Sequence, residues 1–184
     1  MSMFRVIVLR LQPLWCLLCF LCATSASAQS PQLGQPMTAA EVAAIDFTVL
    51  PSGNGLPEGG GNAQQGEGLY RVQCQACHGE QGVGGINDRL AGGHGTLTGP
   101  KPVKTIGSYW PQATTVFDFI RRAMPYSAPG TLSNDEVYAL TAYLLHINGV
   151  IEASTVMNQS SLPAVVMPNR DRFIWAVQAN GDEY

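Results

Sequence analysis

Five consecutive residues, Cys74-Gln75-Ala76-Cys77-His78, constrain this chain more tightly than any other stretch. Two thiols stand three positions apart, and an imidazole follows at once. Such a pair could close a small disulfide loop, act as a redox dithiol, or hold half of a zinc site. A thioredoxin-like dithiol needs a βαβ setting, and no strand pattern precedes Cys74. The run Cys-x-x-Cys-His is instead the attachment signature of a c-type haem. The two thiols add to the vinyl groups of the ring as thioethers. The adjacent His78 is placed to bind the iron from the proximal side. One such motif predicts one covalent haem c.

The N-terminus settles which cysteines matter. Arg5 and Arg10 form a short basic head, and Leu11 to Ala23 is apolar except for Gln12 and Pro13. Ala26-Ser27-Ala28 then gives a small-x-small cleavage pattern before Gln29. This reads as a secretory signal peptide over residues 1–28, cleaved after Ala28, and predicts a periplasmic protein. The apolar run is shorter than the ~20 residues of a spanning helix, so no membrane attachment is expected after cleavage. Cys16, Cys19 and Cys22 lie inside this run, where they read as apolar filler. Cleavage leaves only Cys74 and Cys77, with His94 and His146 the only histidines besides His78. A zinc site therefore lacks its second ligand pair. It also leaves more acidic than basic residues, which argues against a nucleic-acid partner.

An iron held for electron transfer takes a sixth ligand, and a thioether is a common one that raises the reduction potential. The mature chain offers Met37, Met124, Met157 and Met167. Met124 stands out. Val116, Phe117, Ile120 and Ala123 form an apolar helical stripe, with Thr115 expected as its cap and Asp118 three residues on. Pro125 disfavours helical geometry at Met124, so the helix is expected to stop there and leave the thioether in a helix-end loop. Met167, also followed by Pro, is the nearest rival. Met37 and Met157 read as packing or surface residues, and His94 and His146 are weaker alternatives.

Asn62 with Gln65 predicts a capping box and a helix from Ala63 to about Cys74. Ser133 with Glu136 predicts another, over about Asn134 to His146, closed by Gly149. Residues 79–108 are glycine-rich and read as a loop wrapped close to something. No strand run is convincing. The organisation expected is all-α: a signal peptide (1–28), an N-terminal arm (29–61), a module of three main helices and a Gly-rich loop around one haem (62–149), and a C-terminal extension (150–184).

Gly66-x-x-Leu69-Tyr70-x-x-x-Cys74-x-x-Cys77-His78-Gly79, the Met124-Pro125 loop and a last helix with Ala142-Tyr143-Leu144 together resemble a class I cytochrome c. The resemblance implies that fold, with first and last helices crossing near the haem, and His78 and Met124 as axial ligands. One departure stands out. The family often carries Gly-Pro a dozen residues after the haem histidine, with a carbonyl that orients the imidazole. Here Asn87-Asp88-Arg89-Leu90 occupy that region, so the orienting carbonyl stays open. A narrower resemblance spans most of residues 37–173. Asp88-Arg89-Leu90-Ala91-Gly92-Gly93, Lys101 to Pro111, Phe117 to Pro125 and Met167-Pro168-Asn169-Arg170-Asp171 are similar to the cytochrome subunit of sulfur dehydrogenase (SoxD type). That implies an electron-transfer subunit with a molybdenum-cofactor dehydrogenase as partner and a downstream cytochrome or oxidase as acceptor, and no catalysis by this chain itself.

Tyr109, Trp110 and Arg121 are candidate haem contacts: the first two could bond a propionate or pack on the haem rim, and Arg121 could pair with a propionate carboxylate. Lys101, Lys104 and Arg122 share that reading with two others, a docking patch and plain solvated charge. Two functions from other classes stay open beside the subunit reading. One is a freely diffusing carrier serving a terminal oxidase. The other is a haem enzyme with a labile sixth ligand.

Overall fold

A computed structural model describes residues 33–173 of the chain. The expected signal sequence lies outside the described residues, as do Cys16, Cys19 and Cys22. The chain divides into two units, with the second beginning at Ile45. The first unit leads into a short helix, α1 (Ala39–Ile45), which buries none of its residues. Its start is fixed by Thr38, whose N–H donates to Glu41 at 2.8 Å.

The second unit contains, in chain order, β1 (Gly60–Gly61), α2 (Ala63–Gln73), the one-turn helix α3 (Gln75–His78), β2 (Gly79–Glu80), β3 (Val83–Gly84), α4 (Ala113–Ala123), α5 (Asn134–Ile147), β4 (Met157–Asn158) and a 3-10 turn at Arg170–Arg172. It is mostly helical. The strands form two antiparallel pairs, β1 with β4 and β2 with β3, each two residues long. Pairs this short have no alternation to read, which is why the sequence carried no strand signal.

Both expected capping boxes form. The Gln65 N–H donates to Asn62 at 3.0 Å and the Asn62 N–H to Gln65 at 2.9 Å. Ser133 and Glu136 repeat the exchange at 2.8 and 3.3 Å. Each box satisfies orphan N–H groups of a first turn. α5 ends at Asn148, and Gly149 follows in left-handed geometry, φ +68°. The start of α4 differs from expectation. It begins at Ala113, and Gln112 caps it without a side-chain bond. Thr115 lies inside the helix, and neighbouring Thr114 is buried with its hydroxyl turned to the Pro51 carbonyl at 3.4 Å. Tertiary contact there overrides the local capping preference.

The core is built where α5 meets α2 and α4. α5 buries every residue from Val137 to Leu145. A β-carbon at Gly66 would lie 2.0 Å from the Ala139 carbonyl oxygen, so only glycine lets α2 and α5 approach this closely. The Tyr70 and Tyr143 rings then pack at 5.0 Å, and Phe117 meets Tyr138 at 4.4 Å. The segments expected as arm and extension contribute to this core: Val49, Leu56, Met157, Leu162 and Met167 are all buried in it. Polar bonds hold the arm in place. Tyr138 donates to the Pro57 carbonyl at 2.9 Å, Gln159 to the Leu56 carbonyl at 2.9 Å, and Asp118 accepts the Val49 N–H at 3.3 Å while pairing with Arg122.

Two glycines of α2 should respond oppositely to the same change. Gly68 has open space around it, so Gly68→Ala should stabilise by about 0.5–1 kcal/mol through helix propensity. Gly66→Ala should destabilise by about 1–3 kcal/mol, because overpacking outweighs that gain. Urea midpoints of the two variants decide the matter; equal midpoints would refute the close crossing. Alkaline pH offers a second check. Burial pushes the Tyr138 and Tyr70 phenols up to about 12, so the fold prefers their neutral forms. That stability is full below the ordinary phenol value of about 10 and drains away as pH rises towards 12. Urea midpoints should therefore fall through this window, and less steeply in Tyr138→Phe.

Candidate haem site

The site forms where α2 hands over to α3. Cys74 caps α2, its N–H donating to the Tyr70 carbonyl at 2.9 Å. The Cys74 carbonyl then accepts the N–H groups of Cys77 at 3.1 Å and His78 at 3.0 Å. One carbonyl thus gathers both thiol-bearing residues and the imidazole into a single turn. Cys74 is half-buried, and Cys77 is exposed. Burial, and then the neighbouring Cys77, push the Cys74 thiol up to about 11. That is opposite to the lowered thiol that a redox dithiol uses as its nucleophile. Among the described residues no cluster of three or more His, Cys, Asp or Glu gathers to hold a metal ion.

After His78 the chain reverses. Gly79 sits at φ +81°, and a β-carbon there would lie 2.0 Å from the Val83 carbonyl oxygen. β2 and β3 follow as a tight hairpin whose two turn residues, Gln81 and Gly82, have φ +51° and +77°. Positive φ at both positions matches the right-handed twist of the strands. The returning chain passes beside the imidazole. The Asn87 N–H donates to the Cys77 carbonyl at 2.9 Å, and the His78 Nδ1 lies 2.7 Å from the Asp88 carbonyl oxygen.

That last contact fixes the chemistry of the ring. A carbonyl only accepts, so Nδ1 carries a proton, and in the neutral ring the lone pair is then on Nε2. This is the tautomer of a histidine that ligates a metal through Nε2, with the carbonyl as its outer partner. It also answers which carbonyl orients His78: that of Asp88, where the sequence lacks Gly-Pro. Tyr70 adds a second brace, donating to the Gly79 carbonyl at 2.9 Å.

The thioether candidates separate by burial. Met124 caps the end of α4 in extended geometry, and Pro125 follows it, as Pro125 requires of the residue before it. It is half-buried and packs against the core. Met157 and Met167 are each 2% exposed within the core, and Met37 is exposed. Two thiols, an imidazole with Nε2 free and a half-buried thioether are a donor set that fits haem c.

The other candidate residues have the following protein neighbours. Tyr109 packs edge-on against Phe173 at 5.4 Å, with Lys104 over its face at 5.0 Å. Trp110 meets Phe119 at 5.8 Å. Arg121 lies 5.2 Å over the Phe47 ring, and Arg122 pairs with Asp118. His146 Nδ1 lies 3.1 Å from the Ile151 carbonyl oxygen, and His94 is exposed. Sequence reasoning missed Asp88, because its contribution is a main-chain oxygen. It also assigned no role to the Tyr70 hydroxyl.

Comparison with known proteins identifies relatives of this chain. Residues 61–144 match the family described as cytochrome C oxidase, cbb3-type, subunit III. The thiosulfate dehydrogenase of Psychrobacter arcticus is 29% identical over 114 residues, 60% of this chain and 35% of that protein. The thiosulfate dehydrogenase of Allochromatium vinosum is 31% identical over 105 residues, 55% of this chain and 38% of that protein. The chain thus spans little more than a third of the curated relatives it matches. The crystal structure of the sulfane dehydrogenase SoxCD from Paracoccus pantotrophus contains a chain 40% identical to this one. The likeness covers 83% of this chain and 76% of that one, with a TM-score of 0.74. The chain belongs to the c-type cytochromes of the sulfur dehydrogenase (SoxD) type, a family that binds haem c covalently.

Proposed function

We propose that this chain is a periplasmic monohaem cytochrome that accepts electrons from a molybdenum-dependent sulfur-compound dehydrogenase, as its subunit or partner. The observation that carries the reading is the His78–Asp88 bond, which presents Nε2 to a metal. The likeness to a chain of SoxCD supports the partner. The basic head, apolar run and Ala26-Ser27-Ala28 of the N-terminus support the compartment.

In this reading Cys74 and Cys77 would hold the ring covalently, and His78 through Nε2 and Met124 through its thioether would hold the iron. When bound, haem c supplies one-electron cycling between Fe(III) and Fe(II). The protein's part is to hold both ligands through that cycle. Asp88 keeps the His78 ring protonated on Nδ1 and fixed in plane. Met124, which ends α4 in extended backbone, would supply a neutral, soft donor, which favours the ferrous state. The apolar faces of α2, α4 and α5 pack into one core behind the site residue Cys74. A sulfur substrate is oxidised on the partner, and the electrons pass on to a downstream cytochrome or oxidase.

A second reading draws on the curated relatives, which are named thiosulfate dehydrogenases. There the chain itself would be a haem enzyme, with a sixth position that opens to substrate. Met124→Ala separates the two. For the carrier, the variant should lose the sulfur-to-iron charge-transfer band, fall in potential and gain rapid CO binding. An unchanged band and potential would remove Met124 as ligand, and rapid CO binding by the unaltered protein would favour the enzyme.

Affinity capture of the tagged protein from native periplasm tests the partner. Stoichiometric molybdenum, and haem reduction on adding thiosulfate or sulfite, are expected. Capture of the haem protein alone at low salt would point to a freely diffusing carrier.

A further inference from the structure

Asn148 lies at the end of α5, is only 5% exposed, and carries no role in the function above. Its side chain makes three hydrogen bonds. Nδ2 donates to the Leu144 carbonyl at 2.8 Å and to the Leu90 carbonyl at 3.1 Å. Oδ1 accepts the Gly92 N–H at 3.1 Å. The reversed amide would face its oxygen to two carbonyls and its hydrogens to an N–H, so this orientation is the one the partners allow. The bond to Leu144 is ordinary helix capping. The other two span 58 and 56 residues and grip the loop on both sides of Ala91.

That loop carries Asp88. It is pinned at its start by the Asn87–Cys77 bond at 2.9 Å, and at Leu90 by the Gly82 carbonyl at 2.8 Å. Its far end runs through Gly92 and Gly93, at φ +84° and +75°. No proline stiffens residues 87–93, and paired glycines hold no conformation of their own. Arg89 Nε–H donates to the Ala91 carbonyl at 3.1 Å, and the Ile106 N–H donates to the Leu90 carbonyl at 3.3 Å; the remaining hold comes from side chains outside the loop. Thr105 donates to the Gly92 carbonyl at 2.6 Å, and Asn148 takes the Gly92 N–H and the Leu90 carbonyl.

We infer that Asn148 is a positioning residue for His78: its buried amide holds the loop whose Asp88 carbonyl receives the imidazole N–H. The inference rests on the reading of His78 as the iron ligand. A firm Nδ1–H bond makes Nε2 a more basic donor and favours ferric iron. Loosening the loop weakens that bond and shifts the couple towards the ferrous form.

The test uses the full-length, haem-loaded protein. Asn148→Leu should shift the oxidised-to-reduced ratio at fixed ambient potential towards ferrous by about tenfold, which is about 59 mV for one electron. Exchange of the His78 ring N–H with solvent, followed by nitrogen-15 NMR in the ferrous protein, should quicken at least tenfold. Gly107→Ala should act in the same direction, because its β-carbon would lie 2.5 Å from Asn148 Oδ1; it serves if Asn148→Leu does not fold. Tyr138→Phe, which loses the bond to the Pro57 carbonyl, is the control for general loss of stability and should move neither readout. A haem-loaded Asn148→Leu or Gly107→Ala protein with unaltered potential and exchange would overturn the inference, as would equal shifts in Tyr138→Phe. His78→Ala probes the underlying reading separately. If it keeps a low-spin spectrum, His78 is not the ligand, whatever Asn148 does.

Discussion

For the His78 ring to meet a carbonyl ten residues downstream at 2.7 Å, the chain has to turn back on itself at once. Everything next to the motif serves that reversal. Gly79 allows the close approach to Val83, and Gln81-Gly82 make the primed turn. The Cys77 and Gly82 carbonyls catch the returning strand. The glycines after His78 are therefore not slack. They are the residue type whose backbone can enter the left-handed region where the hairpin needs it.

The helices supply a rigid wall for this turn. α2 ends on Cys74, Cys77 follows in α3, and the distance of α2 from α5 is set by Gly66 against Ala139. Tyr70 links the two levels: its ring packs on Tyr143, and its hydroxyl bonds the Gly79 carbonyl. A change in helix packing is thus transmitted to the residue that follows the histidine. α4 meets α5 through Phe117 and Tyr138, and ends in Met124. The two elements proposed to supply axial ligands are both braced by α5, which itself contributes none.

Much of this was legible in the sequence, because the relevant signals are local. Cys-x-x-Cys-His, the two capping boxes and the Met-Pro stop each act within a few residues, and the helices appear where they point. The cap of α4 misled: the helix starts at Ala113, two residues before the expected cap Thr115, and Gln112 caps it without a side-chain bond. The Asp88 carbonyl was out of reach because every residue has one, and only the path of the loop selects it. The roles of residues 45–61 and 150–173 were equally hidden. Their Ser, Asn, Gly and Pro content reads as linker, while single apolar residues such as Leu56 and Leu162 are fully placed in the core. Isolated apolar residues without periodicity give no warning of burial.

The β1–β4 ladder has a kinetic side. By pairing Gly60 with Asn158 and Gly61 with Met157, it ties together the two ends of the entire helical module. Contacts so distant along the chain must pay the entropy of closing a long loop before they return anything, and topologies rich in them fold slowly. The Cys74–His78 turn, by contrast, is held by bonds that span three or four residues. The local turn can form while the ends are still apart. The arrangement of the two thiols therefore depends on neighbours in sequence, and the closing of the last segment over the core depends on residues far apart along the chain.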